Sequence, residues 1–342
     1  MGIYIINTNE KRVIKLLDVL KYFPNNLKNI LINEIGDKEE LIEEIRIRTK
    51  KPVILKFRDF EKIVRYMVGQ EEILNILQLI CENSIYSYQN QIAEGFVTVS
   101  GGHRVGISGS CVIEKGKVIN INYISSLNFR ISKQVLGCSE NILEHILNLN
   151  ENTVFNSLIV SPPGSGKTTL LRDITKQISS GIKKLKFKGV NVGVVDERGE
   201  IAALHKGIPQ NDIGIKTDVI DNVSKSGGMK MLIRSMAPQV IVADEIGSNE
   251  DIEVINYAMC CGCKGIFTAH GEKMEDLYLN PVIKTLINTH IFERIFFLSS
   301  KIKGDLKDIY VLDKKDMQYK KYEGKDITKE SLRLDNMLGE SV

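Results

Sequence analysis

The second half of the chain alternates short apolar runs with longer segments whose apolar residues recur at helical spacing. Short apolar runs bounded by turn residues are typical of buried strands, and spacings of three and four residues are typical of amphipathic helices. The apolar runs predict strands at residues 157–161, 192–196, 239–244 and 265–269, with a further pair near 294–299 and 308–312. The segments between them predict helices at residues 167–179, 221–236, 250–261 and 272–287. Strands that alternate with helices in this way predict a doubly wound α/β sheet.

The first half of the chain has a different pattern. Helical spacing covers residues 10–34 and 70–93, and polar and apolar residues alternate at residues 44–48, as in a half-buried strand. A stretch rich in glycine and β-branched residues, 96–113, predicts a hairpin, and a strand follows it at residues 118–121. A helix predicted to begin at Ile142 then leads toward the next strand. We therefore predict a smaller N-terminal α+β domain over residues 1–140 and an α/β domain over residues 141–342.

Residues 157–172, S-L-I-V-S-P-P-G-S-G-K-T-T-L-L-R, place a turn of small residues between a predicted strand and a predicted helix. A phosphate-binding P-loop requires that context, because backbone N–H groups of the turn and the helix N-terminus face the phosphate oxygens. Lys167 supplies a charge for the β- and γ-phosphates of ATP, and the Thr168 hydroxyl suits Mg²⁺. Ser161 replaces the first glycine of the usual pattern, and a small residue still fits that turn. The predicted nucleotide-binding residues are Pro163, Gly164, Ser165, Gly166, Lys167, Thr168 and Thr169.

A second candidate for chemistry is the apolar run 240–243, which ends in the acidic pair Asp244 and Glu245. Beside a P-loop, an acidic residue at the carboxyl edge of a sheet can hold Mg²⁺, which assigns Asp244 to the metal. The neighbouring Glu245 can orient the attacking water or accept its proton. An Asp-Glu pair at this place is typical of ATPases with an extra strand between the P-loop strand and the acidic strand. We therefore predict that the strand at residues 266–269 lies between residues 157–161 and 240–244.

Three further positions carry candidate catalytic groups. The run D-E-R-G-E at residues 196–200, which includes Glu200, ends a strand and suits a water or metal site, with a structural knot of ion pairs as the alternative. The strand at residues 265–269 ends with the Thr268 hydroxyl and the His270 imidazole. A polar group there can sense the γ-phosphate, and a purely structural histidine is the alternative. Arg104 and Arg130 in the first half are candidate arginine fingers, and surface ion pairs are the alternative for both.

The six cysteines bear on metal chemistry, because Cys260 and Cys263 have the spacing of metal ligands. The other cysteines form no second pair of that spacing. Buried structural thiols are therefore the favoured interpretation, with a metal or redox site as the alternative.

Composition and charge narrow the function classes. The net charge of +3 is too small to indicate nucleic acid or membrane as a partner. No apolar run has the roughly 18 residues that a membrane span needs, and the start of the chain lacks the pattern of a secretory signal or a myristoylation site, so we expect any membrane contact to be made through a partner. Tryptophan is absent and aromatic residues make up only 6% of the chain, which disfavours a nucleic-acid-dependent ATPase without removing that alternative. A scaffold protein that binds a nucleotide without hydrolysing it is disfavoured, because Lys167, Asp244 and Glu245 are all present.

The second half resembles the RecA-like ATPase domain of the secretion-ATPase superfamily. Residues 232–246, L-I-R-S-M-A-P-Q-V-I-V-A-D-E-I, are a loose form of a pattern of that superfamily, with Gln239 and Asp244 among the departures. Residues 196–200 correspond to its acidic box and His270 to its histidine box. That superfamily uses arginines of its N-terminal domain as fingers, which by resemblance points to Arg104 and Arg130.

Most of the chain is similar to the stage III sporulation protein AA family of endospore-forming bacteria. The similarity includes E-I-R-I-R at residues 44–48, G-G-H-R-V-G-I-S-G at 101–109, S-S-L-N-F-R-I at 125–131, V-D-E-R-G-E-I-A at 195–202, A-D-E-I-G at 243–247 and T-A-H-G at 268–271. The resemblance implies a cytoplasmic ATPase of the mother cell that powers the channel to the forespore. It also implies a hexamer docked to membrane-embedded components of that channel, and so peripheral to the membrane.

Overall fold

The computed structural model describes Leu16 and residues 18–300 and 302–323. The chain divides into two compact units. The first comprises Met1–Val135 and Arg198–Asp212, and the second comprises Leu136–Glu197 and Ile213–Val342. The domain boundary that we predict between residues 140 and 141 stays a prediction. Arg198–Asp212 comes from the second half of the chain but belongs to the first unit, and the sequence pattern did not predict this.

The first unit is built on a six-stranded antiparallel sheet. In spatial order its strands are Glu61–Met67, Pro52–Phe57, Ile42–Arg48, Lys117–Arg130, His103–Glu114 and Phe96–Val99. Its helices are Asn25–Ile35, Gln70–Ile80 and Gln89–Ala93, with a 3₁₀ turn at Ile85–Tyr88, and a short hairpin pairs Leu204–His205 with Ile208–Pro209. One face of the sheet buries alternate residues such as Ile45, Val105 and Phe129, which share a core with Leu27 and Ile73 of the helices. The α+β class that we predict for this half is confirmed.

The second unit is built on an eight-stranded mixed sheet. In spatial order its strands are Thr217–Asp221, Val192–Asp196, Val240–Ala243, Lys264–His270, Ser157–Ser161, Arg294–Leu298, Leu306–Asp313 and Gln318–Lys321, of which the first six run parallel and the last two pair antiparallel. The helices are Glu140–Ile146, Lys167–Ser180, Lys225–Met236, Asn249–Cys260, Met274–Leu279 and Pro281–Asn288, with a 3₁₀ turn at Lys183–Leu185 and a hairpin of Leu147–Asn148 with Thr153–Val154. The central strands are buried along their whole length, because a parallel sheet is covered on both faces.

Local chemistry explains where the predicted helices differ from the observed ones. The helix predicted over residues 272–287 is two helices, because Pro281 begins a new helix whose first N–H groups are capped by the Asn280 side chain. The helix predicted over residues 70–93 ends at Ile80, where Glu82 and Asn83 adopt positive φ angles. The helix predicted over residues 221–236 starts only at Lys225, because Asp221 is the last residue of the strand Thr217–Asp221.

At the start of the chain, the helix predicted over residues 10–34 is interrupted before Pro24 and resumes at Asn25–Ile35. Residues 10–15 and 17 of that prediction lie outside the described residues. In the described parts of the chain, every helix is too short or too polar to cross a bilayer.

Candidate active site

The carboxyl ends of three neighbouring parallel strands meet at the P-loop. Lys264–His270 pairs on one side with Ser157–Ser161 and on the other with Val240–Ala243, and all three strands run parallel. The predicted strand order is therefore confirmed. In this register Ser161 lies beside His270, and Asp244 follows the neighbouring strand directly. Groups that are distant in sequence thus come to one edge of the sheet, where α/β proteins bind their ligands.

The P-loop has the backbone geometry that its sequence predicts. Gly164 and Gly166 have φ angles of 76° and 90°, and the helix begins directly at Lys167. Such angles favour glycine and turn successive N–H groups toward one point. The other predicted loop residues, Pro163, Ser165, Thr168 and Thr169, lie in the same turn and in the first turn of the helix.

Lys167 is the buried cation of the site, with only 6% of its surface exposed. Its Nζ donates to the Ser161 carbonyl at 3.2 Å and lies 2.9 Å from His270 Nδ1. Burial lowers the pKa of the Lys167 ammonium, and the charges of Asp244 and Glu245 oppose that change. An ammonium held in this way gains from any anionic oxygen that approaches it, as a phosphate would.

Asp244 links the P-loop to the next strands. Its Oδ2 accepts a hydrogen bond from the Thr168 hydroxyl at 2.5 Å, and its Oδ1 accepts one from the Thr268 hydroxyl. A hydroxyl and a carboxylate in contact are the hard oxygen ligands that Mg²⁺ prefers. The residues that we predict for the metal, Thr168 and Asp244, are therefore adjacent, and their chemistry fits that ion.

Glu245 has a backbone in the left-handed region, with φ of 52°. Its N–H donates to the Thr268 hydroxyl at 2.8 Å, which helps hold this uncommon conformation. Its Oε1 lies 3.2 Å from His270 Nε2, so His270 bridges Glu245 and Lys167. A neutral imidazole protonated on Nε2 satisfies both contacts, because it then donates to the carboxylate and accepts from the ammonium.

Thr268 has a positioning role that sequence reasoning missed. It is fully buried, and its one hydroxyl serves both Asp244 and the backbone of Glu245. The available signal was a polar residue in the apolar run I-F-T-A, two positions before His270. A polar group inside a buried strand requires a hydrogen-bond partner, and the strand order supplies it.

The acidic run 196–200 is divided between the two units. In the second unit Asp196 is buried beside Asp221, and burial together with the charge of Asp196 raises the pKa of Asp221. Also in the second unit, Glu197 pairs with Lys225 at 2.6 Å. Glu200 belongs to the first unit, where it forms an ion pair with Arg104. The run therefore makes structural ion pairs in this conformation, and the catalytic role of Glu200 stays a prediction.

The two candidate arginine fingers lie opposite each other on adjacent strands of the first unit. Arg104 Nη1 lies 2.9 Å from Glu200 Oε1, and its guanidinium stacks 3.6 Å above the ring of Phe96. Arg130 is exposed and lies in register with Glu44 on its other side. The ion-pair alternative thus describes Arg104 in this conformation, while the finger role of both arginines stays a prediction.

The cysteine pair gives no support to a metal site. Cys263 is buried and its Sγ contacts the Pro238 carbonyl at 3.2 Å, whereas Cys260 and Cys261 are exposed. The expectation of buried thiols is therefore correct for Cys263 alone among these three. Across the described residues, no group of three or more histidine, cysteine or acidic side chains is placed to hold a metal ion.

Comparison with known families connects this geometry to a biological context. A family model described as sporulation stage III, protein AA, matches residues 13–317. The chain belongs to this family. Stage III sporulation protein AA of Bacillus subtilis (strain 168) is 39% identical over 298 residues, a match that covers 86% of this chain and 95% of the relative.

Solved structures place this member of the family in a wider fold group. The pilus retraction motor PilT with bound ADP superimposes with a TM-score of 0.54 at 16% identity, covering 90% of this chain and 87% of that one. The ATPase DotB of Legionella pneumophila gives a TM-score of 0.53 at 14% identity, with 86% and 82% covered. At these identities the likeness shows the fold alone, and it confirms the predicted α/β class with an additional N-terminal domain.

Proposed function

We propose that the chain is an ATP-hydrolysing motor of the secretion-like channel complex between mother cell and forespore. The observation that carries the ATPase proposal is the set of contacts that joins Thr168 to Asp244, and Lys167 through His270 to Glu245. These contacts bring the P-loop, the acidic strand and the histidine to one sheet edge. Membership of the sporulation family supplies the biological context, and the likeness to a pilus motor that binds ADP supports the choice of nucleotide.

Each residue has a role that its environment supports. Lys167 compensates the charge that develops on the phosphates, and the loop N–H groups orient them. Thr168 and Asp244 would hold Mg²⁺, which when bound neutralises charge on the β- and γ-phosphates. Glu245 orients the attacking water, and His270 sits where it can respond to the presence or absence of the terminal phosphate. Thr268 keeps Asp244 and Glu245 in place.

The assembly belongs to the same proposal. We infer a homo-hexamer in the mother-cell cytoplasm, associated with the membrane through embedded components of the channel. Arg104 and Arg130 act there as fingers, in cis or from a neighbouring subunit, and Glu200 joins them in the catalytic group. The predicted domain of residues 141–342 binds and hydrolyses ATP, and the predicted domain of residues 1–140 provides the arginine fingers.

Steady-state hydrolysis by the purified chain tests the chemistry. Lys167→Ala should abolish turnover and weaken nucleotide binding, because the main cation for the phosphates is gone. Glu245→Gln should bind ATP normally and fail to hydrolyse it, since the amide keeps the shape but cannot take a proton. Lys230→Ala, an exposed lysine on the helix Lys225–Met236, is the matched control and should behave as the unmodified chain.

Two results would contradict parts of the proposal. Retained turnover in the Glu245→Gln protein would reject this carboxylate as the group that orients water. Stimulation of turnover by DNA or RNA would favour the alternative, a nucleic-acid-dependent ATPase, over the channel motor. Assays with and without each nucleic acid separate the two functions.

A further inference from the structure

A cavity of about 350 Å³ lies on the solvent-facing side of the sheet in the first unit. Side chains alternate along these strands, so Ile47, Ile107 and Leu127 face the core while their neighbours face outward. Six of these outward residues line the cavity, together with Gly95 and parts of Ile47, Ile107 and Leu127; the six are Arg46, Arg48, Gly106, Ser108, Ser126 and Asn128.

Strand register explains why this part of the sheet is concave. Asn128 lies between Arg46 and Gly106 in one row across three strands, and Ser126 lies between Arg48 and Ser108 in the next row. In each row the residue on the strand Ile42–Arg48 is an arginine, and the residues on the other two strands have short side chains or none. The result is a depression with hydroxyl groups on its floor and two guanidinium groups along one wall.

Gly106 contributes space rather than conformational freedom. A Cβ atom at this position would have its nearest neighbour, the Cβ of Asn128, at 3.8 Å. That is an ordinary van der Waals distance, so a larger side chain would enter the cavity without a backbone clash.

The cavity wall carries an excess of positive charge. Arg46 Nε contacts Glu44 Oε2 at 2.6 Å, and Lys56 lies 3.9 Å from the same carboxylate, so one acid is shared by two cations. Arg48 forms no ion pair with any other described residue. The contact through Nε orients the Arg46 guanidinium and leaves its terminal amino groups for another acceptor.

We propose that this cavity binds a tetrahedral oxyanion, the phosphate group of a small ligand. Two guanidinium groups and two serine hydroxyls are donors that suit phosphate oxygens, and Arg pairs well with such groups. The volume is at the lower end of small-molecule sites, which accommodates a phosphate group together with a small attached group or a phosphate chain. The residues that line the site belong to the first unit and differ from the P-loop residues and from Arg104 and Arg130.

Calorimetric titration of the full chain tests this site. Pyrophosphate, orthophosphate and ATP are titrated into protein that carries Lys167→Ala, which weakens phosphate binding at the P-loop. We expect saturable binding that Arg48→Ala weakens about ten- to hundred-fold, the effect of losing a charge-assisted hydrogen bond. Gly106→Val should weaken binding as strongly by filling the cavity while both arginines remain. Arg65→Ala is the matched control, because Arg65 is an exposed arginine on the edge strand Glu61–Met67, outside the cavity.

The remaining measurements identify the source and the position of the anion. Tighter binding of orthophosphate than of ATP indicates free phosphate, and the reverse order indicates a nucleotide phosphate. Tungstate soaked into crystals should give anomalous density beside Arg46 and Arg48. Absence of saturable binding in the Arg65→Ala control, or binding unaffected by both Arg48→Ala and Gly106→Val, overturns the proposal. Hydrolysis by the chain with intact Lys167 is measured separately, so failure of the ATPase proposal is recognised independently.

Discussion

Replacement of Thr268 by valine tests whether the acidic pair must be held by the middle strand. Valine has the shape of threonine without its hydroxyl, so the buried strand Lys264–His270 keeps its packing. The change removes a donor to the Asp244 carboxylate and an acceptor for the Glu245 N–H. Removal of a hydrogen bond to a charged group costs about 1.5–3 kcal/mol, because a buried partner loses its contact.

Part of that cost should appear in the transition state. A loss of 1.36 kcal/mol of transition-state stabilisation lowers a rate about ten-fold. We therefore expect Thr268→Val to reduce kcat about ten- to hundred-fold, since Asp244 and Glu245 lose their orientation. The KM for ATP should change by less than about three-fold, because Lys167 and the P-loop keep their contacts.

Coupled-enzyme kinetics and thermal unfolding separate catalysis from folding. Thr175→Val is the matched control, because Thr175 is equally buried and, among the described residues, its hydroxyl bonds only to the Leu171 carbonyl, at 2.7 Å inside a helix. That control should lose about 0.5–1.5 kcal/mol of stability and keep its kcat. A Thr268→Val protein with lowered Tm and unchanged kcat would refute the positioning role of Thr268.

Two further predictions concern assembly and pH. Arg104→Ala or Arg130→Ala should lower turnover per subunit strongly, by up to about 10³–10⁵-fold, while ATP binding by isolated subunits stays nearly unchanged. Specific activity of the unmodified chain should rise with protein concentration as the oligomer forms. If specific activity stays constant with concentration and neither variant is slowed, both arginines have structural roles only. Burial opposes ionisation of Glu293 and is the largest single influence on its pKa. The hydrogen bonds from Lys264 and from the Asn156 N–H, together with the charges of Lys264 and Lys314, outweigh burial and hold the pKa of Glu293 below its ordinary 4.5. A carboxylate whose pKa is lowered in the folded state stabilises that state at pH values above its unfolded-state pKa, and this contribution is lost as the pH falls through the folded-state pKa. Lys264→Met should therefore reduce the free energy of unfolding at pH 7 by about 1 kcal/mol or more. In urea titrations the difference in stability between the variant and the unmodified chain should disappear below pH ~4.5.

The P-loop and the acidic pair could be predicted from sequence because their chemistry is local. The loop N–H groups, Lys167 and Thr168 come from consecutive residues, and the glycines at positions 164 and 166 indicate the backbone angles that the structure has. The order of three central strands was also predictable, since the Asp-Glu pair is typical of one arrangement. Helix ends were less predictable, because a single capping residue such as Asn280 outweighs a continuous apolar pattern.

Only the tertiary structure decided which distant groups meet. Periodicity says which residues of a strand are buried, but the register between strands places Thr268 against Asp244 and Glu245. Residues 198–212 join the first unit through long-range contacts that leave no periodic signal, which is how Glu200 comes to Arg104. The cavity beside Arg46 and Arg48 arises in the same way, from rows of side chains across three strands. Hydrogen bonds between strands fix those rows, and their pairing depends on the whole sheet rather than on any one segment.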